Sequence, residues 1–157
     1  MDSNLHYQHG MTLVELLVVV AILGIMGAIT GLFLLKYLPE YNLRSAANTL
    51  SQDLRTSQMN ALKRLRPWAI DFNTGAQSYQ IIDSGPDGSL DTGDDIVHKT
   101  VNLLSYDGTI RFGAGTSARA TFNEEGYGSG TVTVRLRNSA GSVSTTTVLR
   151  TGAIRVN

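Results

Sequence analysis

One long apolar run dominates the first third of the chain. From residue 16 to residue 35 there are twenty residues without a charge, and Thr30 is the only polar one. A helix needs roughly 20 apolar residues to cross the hydrocarbon core of a bilayer. A core helix of so small a domain would carry a polar face. A cleaved secretory signal would have a basic start and a shorter run. The pattern therefore favours a retained membrane helix.

A second helical pattern follows. Apolar or small residues recur at steps of three, four and seven, which mark one face of a helix. They are Leu43, Ala47, Leu50, Leu54, Ala61 and Leu65. The residues predicted to point away from that face are Arg44, Asp53, Arg55 and Lys63. We expect a helix from about Thr12 to Arg66, ended by Pro67, with a kink or local break at Pro39, because proline removes a helix hydrogen bond.

Beyond Pro67 the apolar period becomes two, which is typical of strands. Eight candidates are separated by glycine, asparagine or aspartate turns: WAIDF, SYQII, DIVHKTV, TIRF, ATF, TVTVRLR, SVSTTTVL and AIRV. Residues 131–137 and 143–149 flank NSAG and are predicted to form a hairpin. A long helix followed by antiparallel strands predicts an α+β fold, with the helix laid across a sheet.

The stretch GMTLVELLVVVAILGIMGAI resembles the type IV prepilin signature. In that family a dedicated prepilin peptidase cuts after the glycine, and the new N-terminus is methylated. The resemblance implies cleavage between Gly10 and Met11 and N-methylation of Met11. Two features depart from the family pattern: methionine stands where phenylalanine is usual, and the leader contains no lysine or arginine.

The remainder of the chain resembles the GspH/FimT group of minor pseudopilins and minor pilins. The matching pieces occur in order: AANTLSQDLRTSQMNALKR, AIDFNTGAQSYQIIDSGPDGSLDTGDDIVHKTV, ATFNEEGYGSGTVTVRL and TGAIRVN. The resemblance implies a pilin-like fold. The implied regions are a leader (1–10), a transmembrane and assembly helix (11–38), its amphipathic continuation (39–66) and a β-rich periplasmic body (67–157).

The resemblance also implies a function. The chain would be a structural subunit of a type II secretion pseudopilus or a type IV pilus, and the sequence does not choose between them. Its partners would be other pilins or pseudopilins, the prepilin peptidase and the inner membrane, with the body in the periplasm. The positive-inside rule gives the opposite orientation, because Lys36, Arg44 and Arg55 follow the apolar run. One alternative is a DNA-binding minor pilin that acts in DNA uptake, and a second is an ordinary signal-anchored protein with a coincidental motif.

Glu15 lies at the start of the apolar run. An unpaired charge in hydrocarbon costs free energy, and such residues are usually functional. The resemblance implies that Glu15 pairs with the free amine of Met11 on a neighbouring subunit. Such a pair would remove the unpaired charge and set the axial register of the subunits.

The formal net charge is zero, but the charges are unevenly spread. The acidic cluster consists of Asp83, Asp87, Asp91, Asp94 and Asp95. Carboxylate oxygens on a flexible turn suit calcium, although the spacing does not match the EF-hand pattern. Aspartates also cap and bend turns. A calcium loop and a turn-rich hairpin are therefore both open interpretations.

Six arginines and only two acids follow Ile110. Some FimT-type minor pilins bind DNA through a C-terminal motif resembling G-R-x-R, and this chain has GAIR at residues 152–155, with one arginine of the two. Arg135 and Arg137 lie on the same side of one predicted strand. Contact of Arg135, Arg137 and Arg155 with DNA is one interpretation, and a solvated strand face is the other.

Catalytic chemistry has little support in the sequence. The absence of cysteine excludes a disulfide framework and a thiolate zinc site. His98 is the only histidine after residue 10. No nucleophile elbow, phosphate-binding loop or paired-histidine metal motif is present. We therefore predict a protein that is not an enzyme and has no cofactor, with calcium left open.

Overall fold

The computed structural model describes residues 11–157, apart from the side chains of residues 30–36. The predicted leader, residues 1–10, lies outside the described residues. The chain divides into two compact units between Tyr37 and Leu38. The described part of the first unit is helical, and the second unit holds the rest of the helix and the strands.

Helix α1 runs from Leu13 to Arg64, close to the predicted bounds. A kink or a local break was predicted at Pro39; the helix continues through that residue, so there is no local break. A proline inside a helix costs about 3 kcal/mol through its lost donor and steric clash. The buried face that follows it supplies compensating packing. The side-chain amide of Asn138 also donates a hydrogen bond to the backbone carbonyl of Pro39 at 3.1 Å.

The buried face of α1 follows the predicted pattern with two exceptions. Its buried residues are Leu43, Ala46, Ala47, Leu50, Leu54 and Ala61. Leu65 is instead 72% exposed, because it lies past the helix end with a left-handed φ of 51°. Asp53, predicted to point outward, is only 8% exposed, since polar partners on two strands meet it there.

All eight predicted strand regions form strands. They are β1 (Trp68–Asn73), β2 (Ser78–Asp83), β3 (Ile96–Asn102), β4 (Arg111–Phe112), β5 (Arg119–Phe122), β6 (Val132–Arg137), β7 (Val143–Val148) and β8 (Ile154–Val156). A short 3-10 helix, Leu103–Ser105, follows β3. The period-two pattern therefore identified the strands.

The predicted α+β fold, with the helix packed on antiparallel strands, is confirmed. The strands form two antiparallel sheets, whereas the sequence predicted one. Sheet 1 has the order β3-β2-β1-β5, and sheet 2 has the order β4-β6-β7-β8. The predicted hairpin is confirmed as β6 and β7, with Val132 opposite Val148. The chain crosses between the sheets because β4 pairs with β6 while β5 pairs with β1. Strand periodicity carries no information about these pairings.

The two sheets and the helix share one hydrophobic core. Phe72 of sheet 1 lies 5.9 Å from Phe112 of sheet 2, ring centre to ring centre, in an edge-to-face arrangement. Leu50 and Leu54 of α1 are fully buried in the same cluster. Truncating a buried leucine to alanine typically costs about 2–5 kcal/mol. The helix face is therefore a major part of the core of the body.

Candidate functional site

The start of α1 is organised around Thr12 and Glu15. The Thr12 hydroxyl accepts a hydrogen bond from the Glu15 backbone N–H at 3.2 Å, so Thr12 caps the helix. Threonine followed three residues later by glutamate is the capping-box pattern. A negative charge in the first turn also interacts favourably with the helix dipole. Glu15 thus has a local role at the helix start, which the T-x-x-E pattern in the sequence would have indicated.

The surroundings of Glu15 are apolar and uncovered. Leu13 is 80% exposed, and Leu16 and Leu17 are also exposed, as is Met11. Within residues 11–157, the Glu15 carboxylate forms no ion pair. Gly10 lies outside the described residues. A contiguous apolar surface of this kind marks an interaction site with protein or lipid.

None of the described helices has both the length and the apolar character needed to span a membrane.

A buried polar network joins α1 to sheet 1. The Tyr79 hydroxyl donates to the Asp53 carboxylate at 2.7 Å. The Lys99 ammonium donates to both oxygens of the same carboxylate, at 2.7 and 2.8 Å. Burial, and then the hydrogen bond to Asp53, raise the pKa of Tyr79 above its ordinary value. The network therefore holds the helix on sheet 1.

Asp83 belongs to a second network and not to the acidic loop. Its carboxylate is fully buried, accepts from Arg66 at 2.5 Å and lies 3.2 Å from the imidazole of His98. His98 stacks on Trp68, with ring centres 4.7 Å apart. The Asp83 oxygens are therefore occupied by protein groups, and His98 has a structural position beside them.

The other four predicted calcium residues lie in the loop between β2 and β3, and the carboxylates of Asp87, Asp94 and Asp95 accept hydrogen bonds from the loop itself. Asp87 accepts from the Ser89 N–H at 2.8 Å, and Asp95 accepts from the Asp91 N–H at 2.8 Å. Asp94 accepts from the Thr92 hydroxyl at 2.6 Å, and this bond lowers the pKa of Asp94. Across the described part of the chain, no group of three or more histidine, aspartate or glutamate side chains is placed to hold a metal ion.

Arg119 fastens this loop to sheet 1. Its guanidinium pairs with Asp71 on the neighbouring strand β1 and with both oxygens of Asp91, at 2.7 Å each. The hydrogen bond from Arg119 lowers the pKa of Asp91. Hydrogen bonds to Asp71 and then to Asp91 raise the pKa of Arg119 above its ordinary value. Sequence spacing gave no signal for this tie, because 28 residues separate Arg119 from Asp91.

The structure brings the three predicted DNA-contacting arginines onto one face of sheet 2. Arg135 and Arg137 point outward from β6, while the alternate residues of that strand are buried. Arg155 lies opposite Thr147, which lies opposite Thr133 on the outward side of β6. Residues directly opposite each other share a face of the sheet.

A fourth arginine, outside the three predicted DNA contacts, joins this set. Arg111 of β4 lies directly opposite Arg137. Within the described residues, none of Arg111, Arg135, Arg137 and Arg155 forms an ion pair with an acid. We call these four residues the basic face. Like charges directly opposite each other destabilise a sheet, so this face suits a negatively charged partner.

The fold has counterparts among solved structures. The type IV minor pilin FimU of Pseudomonas aeruginosa superposes with a TM-score of 0.59 and 15% sequence identity, over 77% of this chain and 92% of that one. The minor pseudopilin EpsH from the type 2 secretion system of Vibrio cholerae superposes with a TM-score of 0.57 and 13% identity, over 74% of this chain and 96% of that one. At such identities the likeness shows a shared pilin-like α+β fold.

Family assignment comes from two sequence models. The prokaryotic N-terminal methylation motif matches residues 5–31, which include Gly10, Met11 and Glu15. The model of the type II transport protein GspH matches residues 46–152, more than half of the chain. No curated protein matches the sequence. The chain belongs to the GspH family of pilin-like proteins and carries an N-terminal methylation motif.

Proposed function

We propose that this chain is a structural subunit of a pilin-like filament, either a type II secretion pseudopilus or a type IV pilus. The observation that carries the proposal is the combination of two parts in one chain. A methylation motif opens a helix with exposed apolar side chains, and the same helix continues into a GspH-type body. The mechanism is assembly through helix packing, without a catalytic step.

Maturation would create the assembly-competent N-terminus. The prepilin peptidase would cut between Gly10 and Met11, and the new amine of Met11 would be methylated. The subunit would be held in the inner membrane by the apolar run, with its body in the periplasm. The matched methylation motif supports this sequence of events.

Glu15 would then pair with the Met11 amine of a neighbouring subunit. The capped first turn supports this role, because Thr12 holds Glu15 in helical geometry four residues after Met11. The surrounding leucines are exposed and would pack against lipid or other helices. In that apolar environment the ion pair would be stronger than in water, and an unpaired carboxylate would be costly.

The test separates the charge of Glu15 from its position in the helix cap. Glu15→Gln keeps the side-chain shape and removes the charge, while Glu15→Val removes both. Both variants should be processed normally, as seen by mass spectrometry of the new N-terminus. Both should also fail to co-purify with the other filament subunits. A matched control is Glu124→Gln, at an exposed turn residue, which should co-purify like wild type. Normal co-purification of Glu15→Gln would reject the pairing.

DNA binding during uptake is a second candidate function, and the basic face is the observation that favours it. Four arginines on one sheet face would attract phosphates through charge, and such binding weakens as salt rises. We expect a labelled DNA duplex to bind at low salt and to be released as salt increases. An Arg135→Gln/Arg137→Gln double variant should bind more weakly, while Arg55→Gln on α1 should behave as wild type. No binding at low salt would rule this function out.

A further inference from the structure

A cavity of about 500 Å³ lies between the turn that follows β5 and the turn between β7 and β8. It is lined by Thr121, Asn123, Tyr127, Gly128, Ser129, Arg150 and Thr151. The chain passes here from β5 of sheet 1 to β6 of sheet 2, and an isolated bridge between Phe122 and Gly128 closes the turn that follows β5. The backbone N–H of Gly128 donates to the carbonyl of Arg150 at 3.0 Å, which joins this turn to the turn between β7 and β8. The residues that line this cavity belong neither to the N-terminal helix nor to the basic face.

The walls of the cavity are held in place by the helix. The side-chain amide of Gln58 donates to the carbonyl of Gly126 at 2.8 Å and to the carbonyl of Gly152 at 3.1 Å. One α1 residue therefore ties together both turns. Gly128 allows the two chain segments to approach, because a Cβ at that position would lie 2.9 Å from the carbonyl oxygen of Leu149. The cavity is preformed, as most small-molecule sites are.

The polar groups that line the cavity are free to receive a ligand. Within residues 11–157, the side chains of Thr121, Tyr127, Ser129, Arg150 and Thr151 make no hydrogen bond or ion pair. The carboxamide oxygen of Asn123 accepts from the N–H groups of residues 125 and 127, which leaves its NH₂ group free. The cavity thus offers hydroxyls, an amide and a guanidinium around an aromatic ring.

The ring of Tyr127 and the charges around the cavity restrict the class of ligand that could bind. Tyr127 is 52% exposed, so much of its apolar side chain remains uncovered. Arg150 contributes one positive charge, while the exposed Glu124 and Glu125 on the adjacent turn contribute two negative charges. A polyanion is therefore disfavoured here, in contrast to the basic face. A ligand that combines an apolar face with many hydroxyl groups meets all of these conditions.

We propose that this cavity binds a saccharide, with the C–H face of a pyranose ring on Tyr127. Its hydroxyls would pair with Asn123, Ser129, Arg150 and Thr151, which supply both donors and acceptors. The cavity volume lies within the range of small-ligand sites. Two sources offer this chemistry: a cell-wall glycan with N-acetylated rings, or an exported polysaccharide without acetamide groups.

The test is a titration of the full-length chain with two trisaccharides. The protein is kept in lauryldimethylamine oxide, a detergent without a sugar headgroup, and binding is followed by saturation-transfer NMR and calorimetry. Triacetylchitotriose represents the N-acetylated source, and cellotriose represents the unacetylated source. We expect saturable binding of at least one trisaccharide at millimolar concentrations. Binding of triacetylchitotriose alone assigns the cell-wall source, and binding of cellotriose assigns the polysaccharide source.

Variants establish where the sugar binds. Tyr127→Ala and Arg150→Ala should each weaken binding about tenfold, while Tyr127→Phe should retain most of it. Arg137→Ala, on the basic face, is the matched control and should bind as wild type. Circular dichroism should show unchanged folding, since both cavity residues are exposed. Absence of binding by both trisaccharides, or binding that survives both alanine variants, overturns the proposal without affecting the filament test at Glu15.

Discussion

The buried Asp53 carboxylate allows a quantitative test of how the helix is held on sheet 1. Replacing Lys99 by methionine keeps an unbranched apolar side chain of similar length and removes the ammonium group. Asp53 would keep the Tyr79 hydrogen bond at 2.7 Å but would lose both contacts from Lys99, at 2.7 and 2.8 Å. A buried carboxylate without a cation is costly, because water no longer solvates it.

The loss of unfolding free energy expected for Lys99→Met lies between two limits. Breaking a fully buried ion pair costs about 3–5 kcal/mol, while exposed pairs are worth about 0–1 kcal/mol. The side chain of Lys99 is 46% exposed and that of Asp53 is 12% exposed. We therefore expect Lys99→Met to lower the free energy of unfolding by about 1–3 kcal/mol. For a chain of this size, a loss of 2 kcal/mol lowers Tm by roughly 4–8 °C.

The assay is thermal and urea unfolding of the full-length chain in detergent, followed by near-ultraviolet circular dichroism. Lys63→Met is the matched control, since Lys63 is exposed on α1, and it should change stability by less than about 0.5 kcal/mol. In an Asp53→Asn background, Lys99→Met should lower the free energy of unfolding by less than it does in wild type, because the carboxylate is absent. A loss equal to that of Lys63→Met, or an unchanged loss in the Asp53→Asn background, would refute the reasoning.

Three further predictions concern turns and the acidic loop. Gly152→Ala should lower the free energy of unfolding more than Gly141→Ala does. Both glycines have a left-handed φ, but a Cβ at Gly152 would overlap Gln58, whereas the space at Gly141 is open. A smaller loss for Gly152→Ala in urea unfolding would contradict this. Because the folded state holds the pKa of Asp91 below 3.8, its contribution to stability is present above that value and is lost as pH falls through the lowered pKa. The Tm difference between wild type and Asp91→Asn should therefore be present at pH 7 and disappear in acid, and a difference that persists in acid would argue against the Arg119 tie. The calcium hypothesis predicts a rise in Tm on adding calcium that an Asp87→Ala/Asp91→Ala double variant lacks, and no rise in wild type would reject it.

The positions of Gly10, Met11 and Glu15 were predicted from sequence alone, because the methylation motif and the start of the apolar run lie in consecutive residues. Cleavage, methylation and pairing stay predictions until the filament is examined. The apolar periods also identified α1 to within two residues at its C-terminal end and all eight strands. Such patterns depend on neighbours within one or two turns of chain, so local sequence determines them.

Contacts between residues that are far apart in the chain could not be predicted from such local patterns. Asp53 was expected to face solvent, and only the fold shows Lys99, 46 residues away, beside it. The pairing of β4 with β6 and of β5 with β1 divides the strands into two sheets, and no strand's own pattern specifies its partner.

By itself, the sequence determined the order of helix and strands, which follows from local periodicity, and the family, which follows from motifs matched along the chain. Only the tertiary structure decided that Arg111 joins Arg135, Arg137 and Arg155 on one face. It also decided that Asp83 belongs to a buried network and not to the acidic loop, and that a cavity lies between turns of the two sheets. These features arise from strand register and sheet pairing, which bring distant residues together and are set by packing of the whole core.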